Sequence, residues 1–439
     1  MNKKNILIGI LSFIVLSLNA QSDNGSYTGL KKLIDENISR IEAKTIEWRR
    51  YFHEHPELSN QEYKTAAYIA KQLEEMGLEV KTGIAKTGVT ALLRGGMEGP
   101  VVALRADMDA LPVTEELDLP FSSKVRTIYN GKETGVMHAC GHDAHMAILL
   151  ATADVLSSVR DLLPGSVKFI FQPAEEGAFE EKTWGAELMI REGVLADPKP
   201  DVIFGLHVWP LPSGEIGYNE QAIMASVDNF RIVVMGKGTH GALPWQGVDP
   251  ILAASAIVLN IQGIISRNVE LTEGAAVITV GSINGGNRNN IIPDQVEMLG
   301  TIRTHSRETR ELVHRRLDEV VKNTASAYGA EAELIIDILY PATINNKELS
   351  KLMIPSLQKA AGEENVLHVN PVMPAEDFSF YLQKIPGMYF FLGIIPNDTT
   401  PENIEANHSP RFNIDENALH TGVKAFSYLV IDYLFQYNK

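Results

Sequence analysis

Four short apolar runs, each stopping at acids or a histidine, constrain the fold of this chain more than any other feature. The run at 101–104 leads into Arg105-Ala-Asp107-Met-Asp109, and that at 167–171 into Gln172-Pro-Ala-Glu175-Glu176-Gly. The run at 202–206 meets His207, and that at 388–392 precedes a loop carrying His408. Continuous apolar runs of this length read as strands buried on both faces. Helical spacing separates them, at 147–157 and 419–437, so the pattern predicts an α/β fold with a central, mostly parallel sheet flanked by helices. Sheets of that kind bind ligands beyond the carboxyl ends of their strands, where these acids and histidines stand. Residues 28–77 add two helical stripes, Leu30, Leu33, Ile34, Ile38 and Ile41, then Ala66, Ile69, Ala70, Leu73 and Met76. Between them, His53-Glu-His55-Pro-Glu57 spaces its histidines two apart, so on a helix they diverge. It reads as a capping or surface segment.

From 227 to 340 the pattern changes. A strand at 229–235 is followed by a helix at 250–265 and by strands at 275–282 and 295–304 around a Gly-Gly-Asn turn. A helix at 309–328 and a strand at 332–339 complete the order β-α-β-β-α-β, the split βαβ, ferredoxin-like motif. The expected organisation is therefore a catalytic domain of 21–226 and 341–439, interrupted by an inserted α+β lid domain at 227–340.

Residues 1–20 carry Lys3-Lys4, an apolar stretch from Ile6 to Leu18 and a terminal Ala20, the pattern of a secretory signal peptide. The stretch is short for a membrane span, which needs about 20 apolar residues. A secreted or periplasmic protein is expected, with no stable membrane insertion after cleavage. Lys and Arg total 39 against 55 Asp and Glu, a formal charge of -16. Such a surface repels phosphate backbones, so nucleic acid is excluded as a partner. Cys140 is the single cysteine. A lone thiol in an exported chain calls for a reason, because thiols outside the cytoplasm oxidise.

The sequence around it supplies one. His138-Ala-Cys140-Gly-His142-Asp143-Ala-His145 packs several donors into one loop leading into a helix. Thiolate with imidazole suits zinc and its transition-metal neighbours, and coordination caps the thiol against oxidation. Gly141 lets the backbone turn so that Cys140 and His142 converge, which leaves His138 and His145 as neighbours. A thiol–imidazole nucleophile and an inert buried thiol are the other readings of Cys140. Glu175 and Glu176 follow a strand, and adjacent side chains on an extended backbone point to opposite sides. One carboxylate can hold a metal while the other takes a proton from water, the division that metal-assisted hydrolysis needs.

In this order and spacing, the His138–His145 segment, Gln172-Pro-Ala-Glu175-Glu176-Gly, Gly205-Leu-His207 and Asn407-His408-Ser-Pro resemble the amidohydrolase branch of the aminoacylase/carboxypeptidase metallopeptidase family. The resemblance spans roughly residues 28–435. That branch includes hippurate hydrolases, N-acyl-amino-acid amidohydrolases and auxin-conjugate hydrolases. The resemblance implies that Cys140, His142, Glu176, His207 and His408 hold two divalent metal ions (Zn, Mn, Co or Ni), with Glu175 as general base. It implies that Asp109 orients the ligands, and it leaves the contact of Asp107 with metal open, since related branches open their ligand set with His-x-Asp. Gly236-Lys-Gly-Thr-His240 resembles the lid motif whose His stabilises the oxyanion. Asn289 and Arg303 match substrate-gripping positions, and Arg303 suits a carboxylate. Glu376-Asp377-Phe378 is a further family-like loop expected near the site. The implied activity is hydrolysis of the amide bond of N-acyl-amino acids. The alternatives are an exported dipeptidase or carboxypeptidase on the same site, a binding protein that lost catalysis, and a thiol hydrolase using Cys140. The resemblance allows a homodimer through the inserted domain.

Overall fold

A computed structural model describes residues 4–437 except 178–180, 182 and 273, with side chains from Tyr27 onward save that of Pro401. The side chains of the expected signal segment, 1–20, therefore lie outside the described residues. The first helix, Lys4–Glu54, buries Leu30, Ile34, Ile38, Ile41, Trp48 and Phe52 at three- and four-residue spacing, while Leu33 faces solvent. Contacts divide the chain into two compact units, 1–217 with 351–367 and 390–439, and 218–350 with 368–389.

An eight-stranded sheet has the order Glu79–Ile84, Gly88–Arg94, Pro164–Gln172, Met97–Asp107, Val202–Pro212, Gly387–Ile395, Ile216–Tyr218 and Val366–His368. It is parallel at its centre, where Met97–Asp107 pairs with Pro164–Gln172 on one side and Val202–Pro212 on the other. The central strands read as continuous apolar runs because both of their faces are covered: Val102, Ala103, Leu104, Phe169, Ile170, Ile203 and Phe204 are fully or almost fully buried. The fold is thus the expected α/β class. Helix His142–Ser157 begins five residues earlier than its apolar spacing suggested, because His142, Asp143 and His145 occupy its first turn. The strand reaching His207 runs on to Pro212, with Trp209 stacked on Phe391 at 4.6 Å, so His207 stands within a strand.

In the second unit, strands Ala276–Gly285, Gln295–Thr304, Ser226–Met235 and Glu331–Tyr340 form an antiparallel sheet in that order. Helices Pro250–Asn268 and Arg307–Ala327 bury Ala253, Ala254, Ile257, Ile261, Ile264, Val313, Leu317 and Val321 in its core. The arrangement is the ferredoxin-like split βαβ. By length and composition alone helix Pro250–Asn268 could cross a membrane; its buried stripe is part of this core.

Candidate metal centre

Three loops at the carboxyl ends of the central strands, together with His207, carry the donors. Gly141 has φ 93°, in the left-handed region, and a Cβ there would lie 2.2 Å from Val208 Cγ2. Only glycine fits, and the turn brings Cys140 and His142 together. Cys140 Sγ lies 3.4 Å from His207 Nε2 and 3.2 Å from His408 Nε2. Glu176 Oε1 lies 3.3 Å from His408 Nε2 and 3.9 Å from His142 Nε2. The His408 loop is tied down by the His408 N–H donating to Ala139 O at 2.7 Å and by Asn407 Nδ2 donating to Cys140 O at 3.1 Å.

Hydrogen bonds fix which ring nitrogen each histidine offers. His142 Nδ1 donates to Asp109 O at 2.7 Å, and His207 Nδ1 to Val208 O at 2.7 Å. Both Nε2 atoms are left for the cluster, and buried His142 Nε2 has no hydrogen-bond partner among the described residues. His145 is excluded as a ligand: its Nδ1 donates to Asp107 Oδ1 at 2.6 Å and its Nε2 accepts the Val208 N–H at 2.9 Å. That bond pins the backbone beside His207. Asp107 is occupied as well, its Oδ2 accepting from Arg105 Nη1 at 2.6 Å. Burial raises the Asp107 pKa, but His142, His145 and Arg105 outweigh it and hold the carboxyl well below the usual range. Burial, joined by the His142 and His53 charges and against the pull of Asp143, pushes His138 down to about 3, so it stays neutral beside the donor cluster.

Asp109 braces the paired glutamates. Its Oδ1 accepts the Glu175 N–H and its Oδ2 the Glu176 N–H, both at 3.0 Å, and Oδ2 also accepts the Ser59 hydroxyl at 2.7 Å. Ala174, just before them, has φ 53°, a conformation costly for alanine. Its N–H donates to buried Glu62 at 2.9 Å, and Glu62 also accepts the Thr87 hydroxyl at 2.7 Å. Burial, and then the Asp109 charge, push Glu62 up to about 8 from an ordinary 4.5. The folded chain therefore holds a proton that the unfolded chain releases in this window, and stability falls as pH rises from about 4.5 toward 8. In Glu62→Gln this slope should be lost: its melting temperature matches wild type near pH ~5 and exceeds it by ~2 °C or more near pH ~9. Parallel thermal melts across that range check it, and curves that stay parallel would refute it.

The residues fit divalent cations. Three donor groups, Cys140–His142–His207, Cys140–Glu176–His408 and His142–Glu175–Glu176, each converge within 4.8 Å, with Cys140 common to two and His142 to two. Burial opposes charge on His142, yet Asp107, Asp109 and Glu176 push it up to about 10, the mark of a pocket that favours positive charge. Burial, followed by Glu176, Glu175 and Asp107, pushes the Cys140 thiol well above its usual range. A cation is what would make it a thiolate.

His240, Asn289 and Arg303 belong to the second unit. Strand Thr239–His240 pairs with Ile291–Ile292, and His240 Nδ1 accepts the Ala242 N–H at 3.0 Å. Its proton is thereby placed on exposed Nε2, as a donor. Asn289 is exposed in the turn before Ile291, and Arg303 is half-buried on Gln295–Thr304. Glu376 also lies in this unit, accepting the Tyr389 hydroxyl at 2.6 Å. The expectation of a surface segment at 53–57 fails for His53. It is fully buried, with Nδ1 donating to Asp143 at 2.7 Å and Nε2 3.3 Å from Glu115, while Arg49 pairs with Asp143 at 3.0 Å. These partners are too far apart in sequence for spacing to reveal them.

The model of peptidase family M20/M25/M40 matches residues 103–432. Thermostable carboxypeptidase 2 of Saccharolobus solfataricus is 40% identical over 92% of this chain and 99% of its own. N-acetylcysteine deacetylase of Bacillus subtilis is 40% identical over 89% of this chain and 96% of its own. The crystal structure of Bacillus subtilis YXEP, a dinuclear metal binding peptidase of family M20, superposes with a TM-score of 0.76 at 38% identity, covering 90% of this chain and 99% of that one. With its paired glutamates set against a thiol–imidazole donor cluster, the chain belongs to peptidase family M20/M25/M40 and is a metal-dependent hydrolase of amide bonds.

Proposed function

We propose that the protein cleaves N-acyl-amino acids into a carboxylic acid and a free amino acid, with Glu175 as general base. The carrying observation is the Asp109 brace, which fixes the backbone of Glu175 and Glu176 together beside the donor cluster. Cys140, His142, Glu176, His207 and His408 would hold two divalent ions, which when bound acidify water and polarise the amide carbonyl. Glu175 takes the proton from the attacking water and returns it to the leaving nitrogen. His240 offers its Nε2–H to the developing oxyanion. Arg303 receives the amino acid's carboxylate in its planar fork, with Asn289 as a further substrate contact. Deacetylase and carboxypeptidase names both occur among the relatives, so a substrate panel is the deciding test. On metal-reconstituted protein, kcat/KM for acyl-amino acids should exceed that for dipeptides by about tenfold or more; the opposite ranking makes the protein an exported dipeptidase or carboxypeptidase.

Export and a homodimer through the second unit complete the proposal. Helix Pro250–Asn268 exposes Leu252 (54%) and Leu259 (74%), and edge strand Ala276–Gly285 exposes Ile283, which supports a second copy seated there. Native mass spectrometry of protein from the producing cells should give twice the mass of a chain starting after Ala20. A monomer, or an intact leader, removes the corresponding part.

A further inference from the structure

We propose that residues 49–62 form a clamp behind the donor cluster, and that His53 and Ser59 are positioning residues for the metal ions; the assignment rests on the donor set proposed above. The segment runs from the last turns of the first helix to the start of helix Tyr63–Glu75. In chain order it grips three stretches that carry or brace donors. Arg49 and His53 stand four apart on the helix and so share a face. Both meet buried Asp143, at 3.0 and 2.7 Å, and Asp143 directly follows the donor His142 in the first turn of helix His142–Ser157. Next, Glu57 O accepts the Ala110 N–H at 2.8 Å, and the Ser59 hydroxyl donates to Asp109 Oδ2 at 2.7 Å. Asp109 in turn accepts the N–H groups of Glu175 and Glu176 and offers its carbonyl to His142 Nδ1. Last, Glu62 accepts the N–H of Ala174, the residue before Glu175.

The clamp is itself anchored. Glu57 accepts the N–H groups of Lys64 and Thr65 at 2.9 and 2.8 Å, which satisfies free donors at the start of helix Tyr63–Glu75. His53 Nε2 lies 3.3 Å from Glu115, whose other oxygen accepts the Ser123 N–H at 2.6 Å. His53 and Glu62 belong to none of the donor groups found among the described residues, so their part is played through other side chains. Buried ionic networks of this kind add little net stability, and what they fix is geometry. Here that is the geometry of the loops bearing His142 and Glu176. Groups one bond removed from metal donors are worth roughly 10–100-fold in metal affinity, because they hold the donors in place before the ion arrives. Ser59 also borders a cavity of about 460 Å³ beside Glu176, whose wall includes the tip of the hairpin Arg126–Tyr129 and Lys132–Gly135. Removing its hydroxyl therefore disturbs no packed core.

The test is a titration of cobalt(II) into chelator-stripped protein. It yields an affinity and a visible spectrum that reports donor geometry, both without turnover. Ser59→Ala should weaken cobalt binding about tenfold or more and shift the visible bands. Ser59→Thr keeps the hydroxyl and should recover most of the loss. His53→Leu should weaken binding by a similar factor, and His53→Asn, whose amide can place an N–H where Nδ1 stands, should recover part of it. Where His53→Leu does not fold, the Ser59 pair decides. Wild-type affinity and spectrum in Ser59→Ala overturn the clamp. So does weaker binding with an unchanged spectrum, the sign of lost folded protein alone, or a loss that Ser59→Thr does not recover. Wild-type protein that takes no cobalt removes the donor set and the clamp together. The expected losses in a protein that cleaves no N-acyl-amino acid uphold the clamp and sink only the proposed reaction.

Discussion

Replacing Glu175 by glutamine should abolish turnover while leaving the metal content unchanged. Glutamine is close in size and keeps the backbone N–H that Asp109 accepts, so the fold and the Glu176 carboxylate stay in place. What disappears is the only function assigned to the side chain, carrying a proton from water to the leaving nitrogen. General acid–base groups contribute ~10²–10⁴-fold, and the loss should fall mainly in kcat. The measurement is steady-state kinetics on the best substrate of the panel, beside elemental analysis of the same sample. Wild-type turnover in Glu175→Gln would sink the role; lost metal would make Glu175 a ligand instead.

Chelation should be equally severe, and it carries a signature beyond lost activity. Without metal, His142 is held charged by the surrounding carboxylates and Cys140 is held as a neutral thiol. Both must lose a proton to become ligands, so reloading the stripped protein at pH ~7 should release about two protons from this pair. Titration of zinc or manganese into stripped protein in weak buffer, followed by a pH dye, gives the number. Activity should fall to background on stripping and return on reloading. A thiol hydrolase using Cys140 would keep its activity in chelator and release no protons.

Much of the site was legible because metal ligands come from few residue types and strands deliver them to one edge. Cys140, His142, Glu176 and His408 follow strands or strand-ending loops, and the structure brings them within a few ångströms of one another and of His207. Gly141 carried its own signal, standing between two donors. What the sequence did not reveal depends on burial and on long-range pairing. Nothing in a linear pattern shows that both His145 nitrogens are taken, that Glu62 is sealed against Ala174, or that His53 meets Asp143 ninety positions away. In the inserted sheet, by contrast, strand alternation and helical stripes gave element order directly, because each element has one buried face.

The hairpin Arg126–Tyr129 and Lys132–Gly135 forms a sheet of its own and supplies none of the donor groups found among the described residues. Its tip, Ile128 and Tyr129, nevertheless walls the cavity beside Glu176. A change in the length or side chains of this hairpin therefore reshapes that cavity while leaving the donor cluster as it is, so the shape of the one and the chemistry of the other can vary independently.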